Sequence, residues 1–163
     1  MPVEGGGVLT LIFQKQDFIS AQRKIDVPWN DIAVLDPLKM INENSVSTSL
    51  SFDGNPDTII THKSSLVTDE FGSRSCTMVF SGDNHAYATD ENGNDIFELS
   101  AIKVRATEFT TEDSMPAKLP PNSGYTYCVE LSVDGVKNVR FEKPVTAWVD
   151  NFLGFNVGDA VPV

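Results

Sequence analysis

The sequence predicts an all-β protein: an antiparallel β-sandwich, Greek-key like, with a few extra N-terminal strands. Three observations carry this. Helical periodicity is nearly absent, while short alternating or β-branched runs recur along all 163 residues. Turn dipeptides punctuate the runs, at Asp53-Gly54, Asn92-Gly93 and Asp134-Gly135. Two longer runs alternate clearly, as strands do when one face meets a core and the other meets water.

Taken in order, Val8 to Phe13 is the first expected strand and Gln22 to Val27 the second, closed by Pro28-Trp29 because proline cannot donate to a ladder. Ile32 to Leu35 and Leu38 to Ile41 are short candidates either side of Asp36-Pro37. Val46 to Phe52, Thr58 to His62, Leu66 to Thr68 and Ser75 to Phe80 follow. His85 to Ala88 and Ile96 to Leu99 flank the Asn92-Gly93 turn. In Ile102 to Glu108, the residues Ile102, Val104 and Ala106 share one face; in Tyr125 to Val133, the odd-numbered residues do. Between these two runs, Met115 to Pro121 is a proline-stiffened crossover. Val139 to Phe141, Val145 to Val149 and Val157 to Val163 complete the set. A boundary is expected near Ile41 to Ser45, giving N-terminal strands over 1–44 and a β-sandwich over 45–163.

Composition narrows the function. Twelve Lys and Arg against 23 Asp and Glu leave a formal charge of −11. That makes nucleic acid and anionic membrane poor partners, because both are bound through cationic side chains. No run approaches the roughly 20 apolar residues of a membrane span, so membrane insertion is not expected. Ten Phe, two Trp and three Tyr make a sizeable core feasible.

Candidate chemistry is sparse, and no cofactor is expected. Asp90, Asn92 and Asp95 form the densest oxygen cluster, yet their spacing is not that of an EF-hand loop, and a solvated turn explains them. His62 and His85 lack further ligands at zinc-site spacing and read as exposed residues near turns. Glu108 and Glu130 fall on opposite strand parities, which argues against a shared glycosidase cleft. Glu108 suits an arginine partner, with Arg140 a candidate. Cys76 and Cys128 would close a loop of roughly 50 residues, worth about 4 kcal/mol as a disulfide. Their differing parities favour two free thiols, and both readings stand at this point. Trp148, Phe152, Leu153 and Phe155 are either core filler or an interface. An exposed strip of Tyr125, Tyr127 and Trp148 would instead suit carbohydrate.

Several strings resemble a module found upstream of the repeats in bacterial RHS/YD-repeat and related large secreted proteins. They include Val104-Arg105-Ala106-Thr107-Glu108-Phe109-Thr110, Ser123-Gly124-Tyr125-Thr126-Tyr127, Lys143-Pro144-Val145 and Asn151-Phe152-Leu153-Gly154-Phe155. Gly6-Gly7-Val8-Leu9-Thr10-Leu11 and Val27-Pro28-Trp29 resemble the last strands of that family's transthyretin-like or carboxypeptidase-regulatory-like segment. More remotely, the second half is similar to the β-sandwiches of ankyrins and netrin receptors. Cys76 and Cys128 depart from the family, which has small apolar residues there. The resemblance implies an extracellular or cell-surface scaffold that is not an enzyme. Its partners would be neighbouring modules of one longer polypeptide, with self-association of this piece expected and its ends lying inside that polypeptide. Phe80-Ser81 resembles a self-cleaving Phe-Ser bond of ankyrin-like sandwiches, but Val79 stands where those have the activating His.

Overall fold

The computed structural model describes residues 6–109, 114–117 and 127–160, and among these there is no α-helix. The chain forms two compact units. The first comprises Met1–Glu43 with Phe109–Tyr125, the second Asn44–Glu108 with Thr126–Val163. Where the sequence suggests a single cut after residue 44, the chain passes between units three times. Backbone hydrogen bonding explains why the proline-rich stretch joins the first unit. The carbonyl of Pro116 accepts from Gln22 N (2.6 Å) and, with that of Met115, from the Arg23 guanidinium.

In the first unit β1 (Gly7–Phe13) and β2 (Ala21–Val27) pair antiparallel, from Gly7 opposite Val27 to Phe13 opposite Ala21. Period-two alternation puts Leu9, Leu11, Phe13, Ala21 and Ile25 on the more buried face, and Val8, Thr10, Ile12, Lys24 and Asp26 on the exposed one. The expected strands at Ile32 to Leu35 and Leu38 to Ile41 do not form. Among the described residues no strand pairs with this stretch, Asp36-Pro37 interrupts it, and Ile32 and Val34 are 84% and 87% exposed. Its end is tied through a bridge of Phe18 with Asn42 and the bonds from Ile19 N to Ile41 O and from Glu43 N to Asp17 O.

The second unit is a sandwich built from β3 (Thr48–Leu50), β4 (Ile59–Lys63), β5 (Val67–Asp69), β6 (Gly72–Arg74), β7 (Cys76–Ser81), β8 (Ala86–Thr89), β9 (Asp95–Glu98), β10 (Ile102–Glu108), β11 (Val129–Val133), β12 (Val139–Phe141) and β13 (Thr146–Val149). The sheet orders are β11-β10-β3, β13-β7-β4 and β12-β8-β9, with β5-β6 a separate hairpin, and every pairing is antiparallel. Inward parities meet in one core: Leu50, Cys76, Met78, Phe80, Ala86, Ile102, Val104 and Ala106. Each large aliphatic or aromatic chain buried there contributes about 1.5–3 kcal/mol. The Asn92-Gly93 turn joins β8 to β9 as expected. The Tyr125 to Val133 run becomes a strand only from Val129, and residues 125–126 lie outside the described part. Val157 sits fully exposed in a turn, not in the expected final strand, whose last three residues are also outside the described part.

Candidate functional site

Charge inside the second unit gathers around Arg74, the last residue of β6, whose side chain is only 2% exposed. Arg74 shares the parity of Cys76, Met78 and Phe80, so the strand register carries a cation inward. Its Nε donates to Glu108 Oε1 (2.5 Å), and its two terminal nitrogens donate to Asp69 Oδ1 and Oδ2 (2.9 and 2.7 Å). The Phe152 ring lies 4.5 Å from the guanidinium carbon. One buried fork thus ties the β5-β6 hairpin, the end of β10 and the C-terminal loop. The guanidinium holds the Asp69 carboxyl at about 2, and the two acids together raise Arg74. Burial pushes Glu108 above its ordinary value, consistent with Oε2 meeting no partner. Beside it, Asp150 Oδ2 accepts from Ser75 N and Oγ (2.9 and 2.8 Å).

Arg140 is therefore not the partner of Glu108. It donates twice to Asp95 (2.9 and 2.5 Å) while lying over the Tyr87 ring at 4.7 Å. Glu108 stands opposite Val129 and Glu130 opposite Thr107, so the two carboxylates point to opposite faces of the β10-β11 pair.

Asp90, Asn92 and Asp95 do not converge on a cation. Asp90 accepts from Asn92 N, Asn94 N and Asn94 Nδ2 within its own turn, and Asp95 is engaged by Arg140. Among the described residues no group of three or more His, Cys, Asp or Glu could hold a metal. Cys76 and Cys128 are separate thiols, the first in the core and the second half-buried, and burial raises both. Ser81 Oγ donates to Asp83 Oδ1 (2.5 Å), and the nearest histidine in sequence, His85, is held to Glu98 Oε1 at 2.6 Å.

The histidines differ from the exposed pair expected. His85 is about half exposed and raised by Glu98. His62 is fully buried, because it shares the inward parity of Ile60 on β4. The late aromatics also divide. Trp148 is 65% exposed on the outer face of β13, opposite Thr77, and Leu153 is exposed. Phe155 is half-buried, and Phe152 packs on Arg74 and, at 6.1 Å between ring centres, on Tyr127. Tyr125 lies outside the described residues, so no strip with Trp148 is formed by those that are described.

A half-open cavity of about 330 Å³ is lined by Phe52, Gly54, Asn84, His85, Glu98, Leu99 and Ser100. Buried Asn84 builds its wall, donating to Lys143 O and accepting from the backbone N–H of His85 and Lys143. Lys143 also pairs with Asp83.

Ion pairs at Arg74, Arg105, Lys137, Arg140 and Lys143 engage several of the described acids, an arrangement that orders loops and strand ends. No curated protein and no solved structure matches the chain. Residues 1–40, about a quarter of it, match the family model described as the teneurin TTR-like domain. Those residues are similar to a transthyretin-like segment, which points to a structural module and not to an enzyme.

Proposed function

We propose that this chain is a non-catalytic structural and interaction module of a large secreted or cell-surface polypeptide of the RHS/YD-repeat type, packed against neighbouring modules of the same polypeptide. The observation that carries the reading is the transthyretin-like match over residues 1–40. Two features support it: charged side chains committed to one another, as at Arg74, Asp69 and Glu108, and exposed apolar residues such as Ile32, Val34 and Trp148. Bacterial origin and the downstream repeats rest on the sequence resemblance.

Cross-linking and mass spectrometry of the native polypeptide, recovered from the cells that make it, tests this. Links from Lys39, Lys63 and Lys137 to flanking sequence in material from the cell surface or medium are expected. A free-standing intracellular protein without such links would overturn the reading.

Exposed Trp148, beside Thr77 and Thr146 on an outer sheet face, favours carbohydrate binding as a second reading. Trp148→Ala should then abolish oligosaccharide heats in calorimetry, and an absence of heat with the wild type across a glycan panel would remove this alternative.

A further inference from the structure

His62 occupies a place where charge is poorly tolerated. It lies on the inward face of β4 opposite Met78 of β7, fully buried. Its Nδ1 is 2.9 Å from Thr48 Oγ1 on β3, and its Nε2 meets no hydrogen-bond partner. Since β4 and β3 are edge strands of the sheets β13-β7-β4 and β11-β10-β3, the imidazole bridges the seam between these two sheets.

The groups facing it give a proton no support. From β7 comes Met78 and from β3 the hydroxyl of Thr48, with Cys76 and Val104 in the adjoining core, while the Arg105 guanidinium of β10, bonded to Asp134 Oδ1 and Oδ2, acts on the ring through its charge. Lys63, next on β4, takes the outward parity. Burial first, and then the Arg105 charge, hold His62 below the ordinary imidazole value of 6.5.

A neutral ring satisfies Thr48 and leaves one nitrogen idle. A protonated ring carries two N–H donors, of which Nε2–H would have no acceptor in an apolar core beside a fixed cation. The ring then gains by leaving the core for water. The geometry points to an acid-sensitive latch: protonation of His62 opens the β3-β4 seam and loosens the sandwich in mildly acidic surroundings.

A base held below its unfolded value contributes stability above pH 6.5, and that stability is lost as pH falls from 6.5 through the folded value. Other groups act elsewhere or in the opposite sense. His85, raised by Glu98, contributes stability below 6.5 that is lost only as pH rises above it. Glu108, raised by burial, favours the fold as pH falls toward its ordinary value. Asp69 and Asp134, both depressed by arginine, lose their contributions only below the ordinary carboxylate range.

The test compares urea unfolding of wild type and His62→Gln from about pH 7.5 to about pH 5. Glutamine can still bond Thr48 but does not titrate, and the comparison cancels the other groups. Below pH 6.5 the unfolded-to-folded ratio of the wild type should rise, relative to the variant, toward about tenfold per pH unit. Hydrogen exchange should show the amides of β3 and β4 losing protection first. Proton NMR of the wild type supplies a readout that does not need the variant: His85 titrates above 6.5, while His62 stays neutral until the sandwich opens. Parallel stability curves, or a folded-state His62 that titrates at or above 6.5, would overturn the latch.

Discussion

Replacing Arg74 with methionine isolates what the buried fork contributes. Methionine fills part of the same volume but removes the donors to Glu108 and Asp69 and the charge over Phe152. Asp69 is partly exposed and can turn to water, so most of the effect falls on Glu108, whose side chain is 4% exposed. Stranding one member of a buried pair costs about 3–5 kcal/mol, and loss of the cation–ring contact adds about 0.5–1 kcal/mol. With a urea slope of about 1–3 kcal/mol per molar, the unfolding midpoint read by circular dichroism should fall by more than about 1 M. The double variant R74M/E108M should recover over half of that loss, because no uncompensated carboxylate remains buried. The penalty of R74M should also shrink in acid, where Glu108 protonates. A single variant within about 1 kcal/mol of wild type, or a double variant less stable than R74M, would show that the fork does not work as described.

Three other perturbations read different parts of the structure. A Cβ at position 82 would lie 2.5 Å from Asp53 Oδ1, 2.6 Å from Thr58 Cβ and 2.7 Å from Asn55 O, so Gly82→Ala should lower stability by about 1–3 kcal/mol in thermal unfolding. Asp69 is held at about 2 by Arg74, so its contribution is present above the ordinary carboxylate value and is lost as pH falls toward 2; Asp69→Asn should flatten the acid limb of the urea-midpoint profile there. Trp148→Ala removes a mostly exposed side chain and should change the unfolding free energy by no more than about 0.5 kcal/mol.

Strand alternation made much of the second unit legible. Ile102, Val104 and Ala106 are buried as their parity requires, and the opposition of Glu108 to Glu130 follows from the same period of two. Partnering was not legible. Ile32 to Leu35 has the residues of a strand but no strand beside it among the described residues, whereas Gly72–Arg74, with little apolar character, becomes β6 because Gly72 at φ 126° closes a tight hairpin onto Val67–Asp69. Arg74 and His62 both lie on apolar parities, so the sequence did hold a signal of their burial. Glu108 stands 34 residues from Arg74 and Thr48 stands 14 residues from His62, a closeness that the sheet topology creates.

Asp69 and Glu108 serve the architecture through one shared arginine, whereas Glu108 and Glu130, on opposite faces of the β10-β11 pair, do not share a reactive cleft. Following the Glu108 carboxyl carbon by NMR across pH, in wild type and in Glu130→Gln, tests that separation most directly. The expected midpoint lies above the ordinary glutamate value and stays there in the variant. A midpoint that moves when Glu130 loses its charge would reveal two coupled carboxylates and contradict it.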